Sequence, residues 1–171
     1  MKKLRVLMLV DHVYEDLELW YPKLRLIEAH AEVVVAGPEA RHVYEGKHGY
    51  PCRSDVSIPS VNPDDFDALV IPGGFAPDQL RRSPKVKAIT RHMHDSGKLI
   101  AFICHAGWIP ISAGIVRGYR VTSTPGIMDD LINAGCEWVD EEVVVDRNFI
   151  TSRRPDDLPA FCREIIRYLK L

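Results

Sequence analysis

No two cysteines in this chain stand close together: Cys52, Cys104, Cys136 and Cys162 are scattered through 171 residues. Without a Cys-x-x-Cys pair neither a zinc site nor a redox dithiol is signalled, and free thiols are expected in a reducing compartment. Charge is short of clusters as well. The 22 basic and 24 acidic residues leave a net charge of -2, with no basic run longer than Arg81-Arg82 or Arg153-Arg154. Neither nucleic acid nor an anionic membrane surface is therefore an expected partner. Long apolar runs are missing too. Leu4 to Val10, directly behind Met1-Lys2-Lys3, is too short for a signal-peptide core or a membrane span, so a cytoplasmic location is expected. The chain has neither a G-x-G-x-x-G fingerprint nor a Walker pattern, and no nucleotide cofactor is implied.

The chain does have short β-branched runs alternating with helical patterns, in a length that suits one domain, residues 1–171. At that size folding buries about 70% of the extended-chain surface, so no metal or disulfide is needed as a staple. Arg5–Val10, Glu32–Ala36, Ala68–Ile71, Leu99–Ile103, Arg120–Ser123 and Glu142–Val145 read as strands. Several are apolar on both faces, as in a parallel sheet covered by helices on both sides. Ser83-Pro84, the repeat Val86, Ile89, Met93 and the stop at Gly97 mark the clearest helix. Two more are expected, over Asp129–Ala134 and from about Asp157 through the stripe Phe161, Ile165, Leu169. Gly46 to Pro51 reads as a turn leading into an extended excursion, Cys52–Ile58, with a hairpin at the sheet edge as one form of it.

In such sheets sites form past the carboxyl ends of strands. The run Leu99–Ile103 ends abruptly in Cys104-His105-Ala106-Gly107, the layout of a nucleophile elbow. A thiol there sits at a helix N-terminus, which favours thiolate, so Cys104 is the candidate nucleophile and is expected to titrate below the free-cysteine value of about 8.5. A cysteine closing a buried strand also serves as a small core hydrophobe. Past the first strand, Glu15-Asp16-Leu17-Glu18 either complements a helix start or supplies a carboxyl group to the sulfur. In the second case two adjacent anions are costly, and Glu18 should hold a proton. Gly73-Gly74 can aim N–H groups into a cleft, forming an oxyanion hole with the N–H of His105. His105 follows the nucleophile directly, and neighbours in an elbow usually diverge, so it need not contact Cys104. No histidine follows it, which excludes α/β-hydrolases and class I glutamine amidotransferases, whose catalytic histidine comes after the nucleophile. His92 and His94 point to different helix faces, and His12, His30, His42 and His48 read as surface or loop residues; no metal is assigned.

Tyr14 to Leu19, Gly46-Lys47-His48-Gly49-Tyr50, Phe66 to Gly74, Ile103-Cys104-His105 and Ser112-Ala113-Gly114 together resemble the PfpI intracellular protease family of the ThiJ/PfpI superfamily. The resemblance implies an α/β fold, a flavodoxin-like three-layer sandwich with a mostly parallel sheet and the elbow at Cys104. It places Glu18 at the sulfur, with Glu15, Gly74 and Lys47 supporting the pocket. It also implies a homo-oligomer, dimer or hexamer, in which His105 pairs with an acid of a neighbouring subunit, at Asp78 here. The activity implied is that of a cysteine peptidase or hydrolase, acting on a peptide or a small reactive carbonyl compound. Cofactor-independent glyoxalase or protein deglycase chemistry is the alternative. A third reading, of another class, is an oxidative-stress sensor or holdase using Cys104 oxidation.

Overall fold

The apolar runs become strands because they have nowhere polar to face. In the computed structural model, which describes residues 2–171, they lie in one sheet between helices. In chain order the elements are β1 (Arg5–Leu9), α1 (Asp16–Glu28), β2 (Glu32–Gly37), β3 (Val43–Glu45), β4 (Pro51–Arg53), β5 (Val56–Ser57), β6 (Ala68–Ile71), α2 (Ala76–Leu80) and α3 (Pro84–Asp95). There follow β7 (Leu99–Ile103), α4 (Trp108–Ala113), β8 (Arg120–Val121), α5 (Met128–Asn133), β9 (Glu137–Trp138), β10 (Val144–Asp146), β11 (Phe149–Ser152) and α6 (Leu158–Leu169).

The main sheet runs β10-β11-β7-β6-β1-β2-β5, parallel throughout except for the antiparallel edge pair β10–β11. Its central strands β6 and β7 are buried at every residue, as their unbroken apolar sequence requires. Helices α1 and α6 pack together on one side, α3 and α4 on the other, giving the flavodoxin-like three-layer arrangement. Helix α3 begins as its sequence dictates: the Ser83 hydroxyl accepts the Val86 N–H, Pro84 opens the first turn, and Val86, Ile89 and Met93 face the core. Among the described residues no helix is long and apolar enough to cross a membrane.

Three expectations need correction. Arg120–Ser123 forms only the two-residue β8, which pairs with β9 in a small sheet of its own. The Thr122 N–H turns instead to the Thr151 hydroxyl, and the chain leaves toward Pro125. The main sheet takes β11 beside β7, a strand absent from the sequence reading because Thr151 and Ser152 dilute its apolar signal, although all four residues are buried. The Gly46 turn does close a hairpin, β3–β4, but that hairpin is a sheet of its own, and only Val56–Ser57 reaches the main sheet's edge.

Candidate active site

Strand order places the site. From β1 the chain winds outward through β2 to β5, then returns to β1's other side with β6, so the sheet reverses direction between β1 and β6. Crevices form past the carboxyl ends of strands at such a reversal. The segments after β1, β6 and β7 converge there.

Cys104 follows β7 with φ of 63°, a left-handed conformation for a non-glycine residue and therefore strained. This kink is the elbow. One 3-10 turn, Cys104–Gly107, carries the chain into the six-residue α4. The backbone N–H groups of His105 and Gly74 act on the sulfur in the direction that favours its anion. Gly74 can do so because it has φ of 82°, and a Cβ there would collide with the backbone at Val13 and Glu15.

Glu18 sits in the first turn of α1, fully buried. Its Oε1 accepts the Gly73 N–H at 2.9 Å, while Oε2 has no hydrogen-bond partner. A Cβ on Gly73 would lie 2.6 Å from that Oε1 and 2.9 Å from the Cys104 Cβ, so only glycine lets the carboxyl and the nucleophile approach. Glu15 caps α1 by accepting the Glu18 N–H at 3.1 Å.

Burial, and then the charge of Glu15, push the Glu18 carboxyl up to about 8. With Glu18 anionic, burial and that neighbouring charge hold the Cys104 thiol up at about 12. Two anions in one buried site are thus expensive, and the pair carries a single charge over a wide pH range. The N–H groups of His105 and Gly74 favour the sulfur anion and the Gly73 N–H is donated to Oε1, while the thiol and the carboxyl also act on each other and Oε2 has no other partner. Those pKa values would ionise Glu18 before the thiol; we instead place the charge on sulfur, with the proton kept on Glu18, because the carboxyl's Oε2 is buried without any other donor. The expected lowering by a helix N-terminus is not what the structure supplies. The elbow opens into a 3-10 turn and a short helix, and burial opposes thiolate, so the two N–H groups and the protonated neighbour must provide the stabilisation.

His105 does contact the nucleophile, contrary to the expected divergence: its Nδ1 lies 3.4 Å from the sulfur. Burial first, and the Lys47 charge second, lower its pKa, so the ring is held neutral. Its other neighbour is the Trp108 ring, 5.2 Å away between centroids. Lys47 also acts on Glu18, favouring its carboxylate form. Asp78 is not brought to His105 within the chain. It lies on the exposed side of α2, 2.7 Å from Arg82.

Three contributors lay outside the sequence reading. Asp16 is buried and accepts the N–H groups of His48 at 2.8 Å and Tyr50 at 2.9 Å, fixing the loop that carries Lys47. His48, read as a plain loop residue, has Nε2 3.5 Å from Glu15. Val13 has φ of 61°, rare for a β-branched residue, and its carbonyl accepts the Phe75 N–H beside Gly74. The run Glu15-Asp16-Leu17-Glu18 was the only available signal for Asp16. Glu15, Asp16 and His48 place ligand-type atoms within 4.8 Å of one another, yet the carboxylates are already engaged by backbone N–H groups.

The chain is similar to known proteins along nearly its whole length. Residues 4–168 match the DJ-1/PfpI family. A Pyrococcus abyssi protein named a deglycase is 52% identical over 167 residues, covering 98% of this chain and 100% of that protein. Deglycase PfpI of Pyrococcus furiosus is 49% identical with the same coverage. The crystal structure of a two-domain Anabaena variabilis protein, with DJ-1/ThiJ/PfpI-like and ferritin-like domains, superimposes with a TM-score of 0.96 at 38% identity. It covers 98% of this chain, which spans 48% of that longer one. On the matched residues, the identity along the whole chain and the shared architecture, this chain belongs to the DJ-1/PfpI family.

Proposed function

We propose that this protein is a Cys104-dependent enzyme that removes small carbonyl adducts from amines, a deglycase-type activity, and that it also takes the free dicarbonyl compound. The observation that carries the reading is a fully buried Glu18, held protonated beside a sulfur that two backbone N–H groups face. Such a pair supplies a nucleophile and a mobile proton without a second charge. The relatives named deglycases support the substrate class.

In the proposed reaction the Cys104 thiolate attacks the carbinol carbon of a hemiaminal. The C–N bond breaks, the amine leaves with a proton supplied by Glu18, and a hemithioacetal remains on sulfur. With a free α-oxoaldehyde the thiolate instead adds to the aldehyde carbon and the oxygen takes the proton. Neutral His105 then moves a proton from the carbon bearing sulfur to the adjacent carbonyl carbon, through an enediol, leaving a thioester. Water hydrolyses it to a 2-hydroxy acid and returns the thiol, so the net reaction consumes one water and needs no oxidant. Aldehyde addition has no leaving group, which suits a site with few proton donors.

A specific observation favours a second reading, the cysteine peptidase: the 3.4 Å approach of His105 Nδ1 to the sulfur is the reach of a Cys–His pair. Expulsion of a peptide amine would need His105 oriented by an acid, for which the family resemblance offers Asp78 of a second copy. Apolar residues left exposed support self-association into a dimer or hexamer: Leu17 and Leu24 on α1, and Phe75 near Asp78. The four free thiols suit a reducing cytoplasm.

The test assays wild type and Cys104→Ala on methylglyoxal, on the methylglyoxal adduct of an N-acetylated amino acid, and on casein. Turnover of both carbonyl substrates, lost by at least about a thousandfold in the variant, is expected. Casein cleavage without carbonyl turnover would replace the reading with the peptidase. Turnover of nothing, with ready sulfinate formation at Cys104, would replace it with the oxidation sensor.

A further inference from the structure

At the other end of the sheet lies a cleft of about 390 Å³ that the chemistry above does not use. Helix α3 delivers Arg91, His94 and Asp95 to it just before the chain enters β7, so β7's five residues, roughly 16 Å of strand, separate it from Cys104. Arg117 and Arg147 reach it from the loop after α4 and from the β10–β11 turn.

Backbone carbonyls hold two of the three guanidinium groups, and a glycine makes room for the third side chain. Arg91 turns Nε and Nη2 onto the Ala113 carbonyl, at 3.0 and 2.6 Å. This position exists because residue 114 is glycine with φ of 73°: a Cβ there would stand 2.7 Å from Arg91 Nη2. Arg117 packs over Gly135, φ of 100°, where a Cβ would come within 3.0 Å of its Cγ. Arg147 stacks over the Tyr119 ring at 3.9 Å and donates to the Gly118 carbonyl at 3.0 Å. Tyr119 is itself held by His94 at 3.0 Å and Asn148 at 2.7 Å.

The charges do not cancel. Asp146 pairs with Arg147 at 3.1 Å, and Asp95 lies 3.2 Å from His94 Nδ1. Arg91 has a carbonyl as its partner and no acid, and among the described residues Arg117 has neither a side-chain hydrogen bond nor an ion pair. Each guanidinium has five donors in a fixed fork, and these partners leave several unused. Three planar forks lining one cleft match an anion with several acceptor oxygens and more than one charge. Both faces of Tyr119 are covered, one by Arg147 and one by the stacked Phe149 ring at 3.8 Å, so the cleft offers no platform for an aromatic base.

We propose that this cleft is a phosphoryl-binding site, taking inorganic phosphate or the phosphate group of a small non-aromatic ester. Arg91 and Arg117 carry the charge recognition, and Arg147 supplies a third fork. The site stands apart from Cys104, and its occupancy is read without any assay of turnover.

Isothermal titration calorimetry with inorganic phosphate and with glycerol phosphate, at constant ionic strength set by chloride, tests it. Saturable binding of one anion per chain is expected, at least tenfold weaker in Arg117→Ala and abolished in Arg117→Glu. Arg167→Ala, which removes an exposed arginine of α6, should bind as wild type does. Tighter binding of glycerol phosphate identifies the ester as the occupant, and equal affinity identifies the free anion. Heat that does not saturate with either ligand, or unchanged binding by an Arg117→Glu protein that melts like wild type, overturns the proposal.

Discussion

Glu18 places an acid where its charged form is expensive. The folded chain keeps its proton up to about 8, whereas the unfolded chain releases it near the ordinary glutamate value of about 4.3. Between those limits the native state binds the extra proton, so its stability falls as pH rises. The stability that Glu18 contributes is fully present below about 4.3 and is lost as pH passes through about 8. Glu18→Gln keeps the shape, retains an acceptor for the Gly73 N–H and has nothing to ionise. The variant should therefore gain on wild type across pH 5 to 8, at up to about 1.4 kcal/mol per pH unit. In a domain of this size each 1 kcal/mol moves Tm by about 2–4 °C. Melting curves by circular dichroism at several pH values measure it, and a Tm difference that stays flat would show that Glu18 is ionised in the fold.

The elements that position the site were legible in unequal measure. Strands β1, β6 and β7 announce themselves because a strand covered on both faces must be apolar throughout, and the abrupt switch to Cys104-His105 marks the elbow. Helix α3 is equally plain, since its cap, first-turn proline and apolar repeat all lie within its own sequence. Elements whose identity depends on distant partners were not readable. The edge of β11 carries Thr151 and Ser152, which look solvent-facing until Thr122 and the Glu142 carbonyl take up their hydroxyls. Residue 16 reads as one of three acids at a helix start; only the fold brings the N–H groups of residues 48 and 50 to it. The His105–Cys104 contact, likewise, follows from the φ of 63° at Cys104, which is a property of the turn and leaves no mark in composition.

The whole molecule concentrates its chemistry at the reversal of the sheet, where three loops share one crevice and no single loop holds the full set. Asp78 is paired with Arg82 and is not brought to His105 within the chain, so its contribution depends on assembly. If a second copy brings Asp78 to His105, Asp78→Asn lowers turnover by about tenfold to a hundredfold and leaves Cys104 alkylation unchanged, and wild-type activity falls on dilution. Light scattering beside a dilution series of the activity checks this, and a fully active monomer would refute it. Within each chain we place the site's one negative charge on sulfur, with Glu18 keeping its proton. Infrared difference titration follows the S–H and protonated-carboxyl bands separately, with Cys104→Ala and Glu18→Gln assigning each. The S–H band should disappear at lower pH than the carboxyl band; loss of the carboxyl band first would put the charge on Glu18 instead.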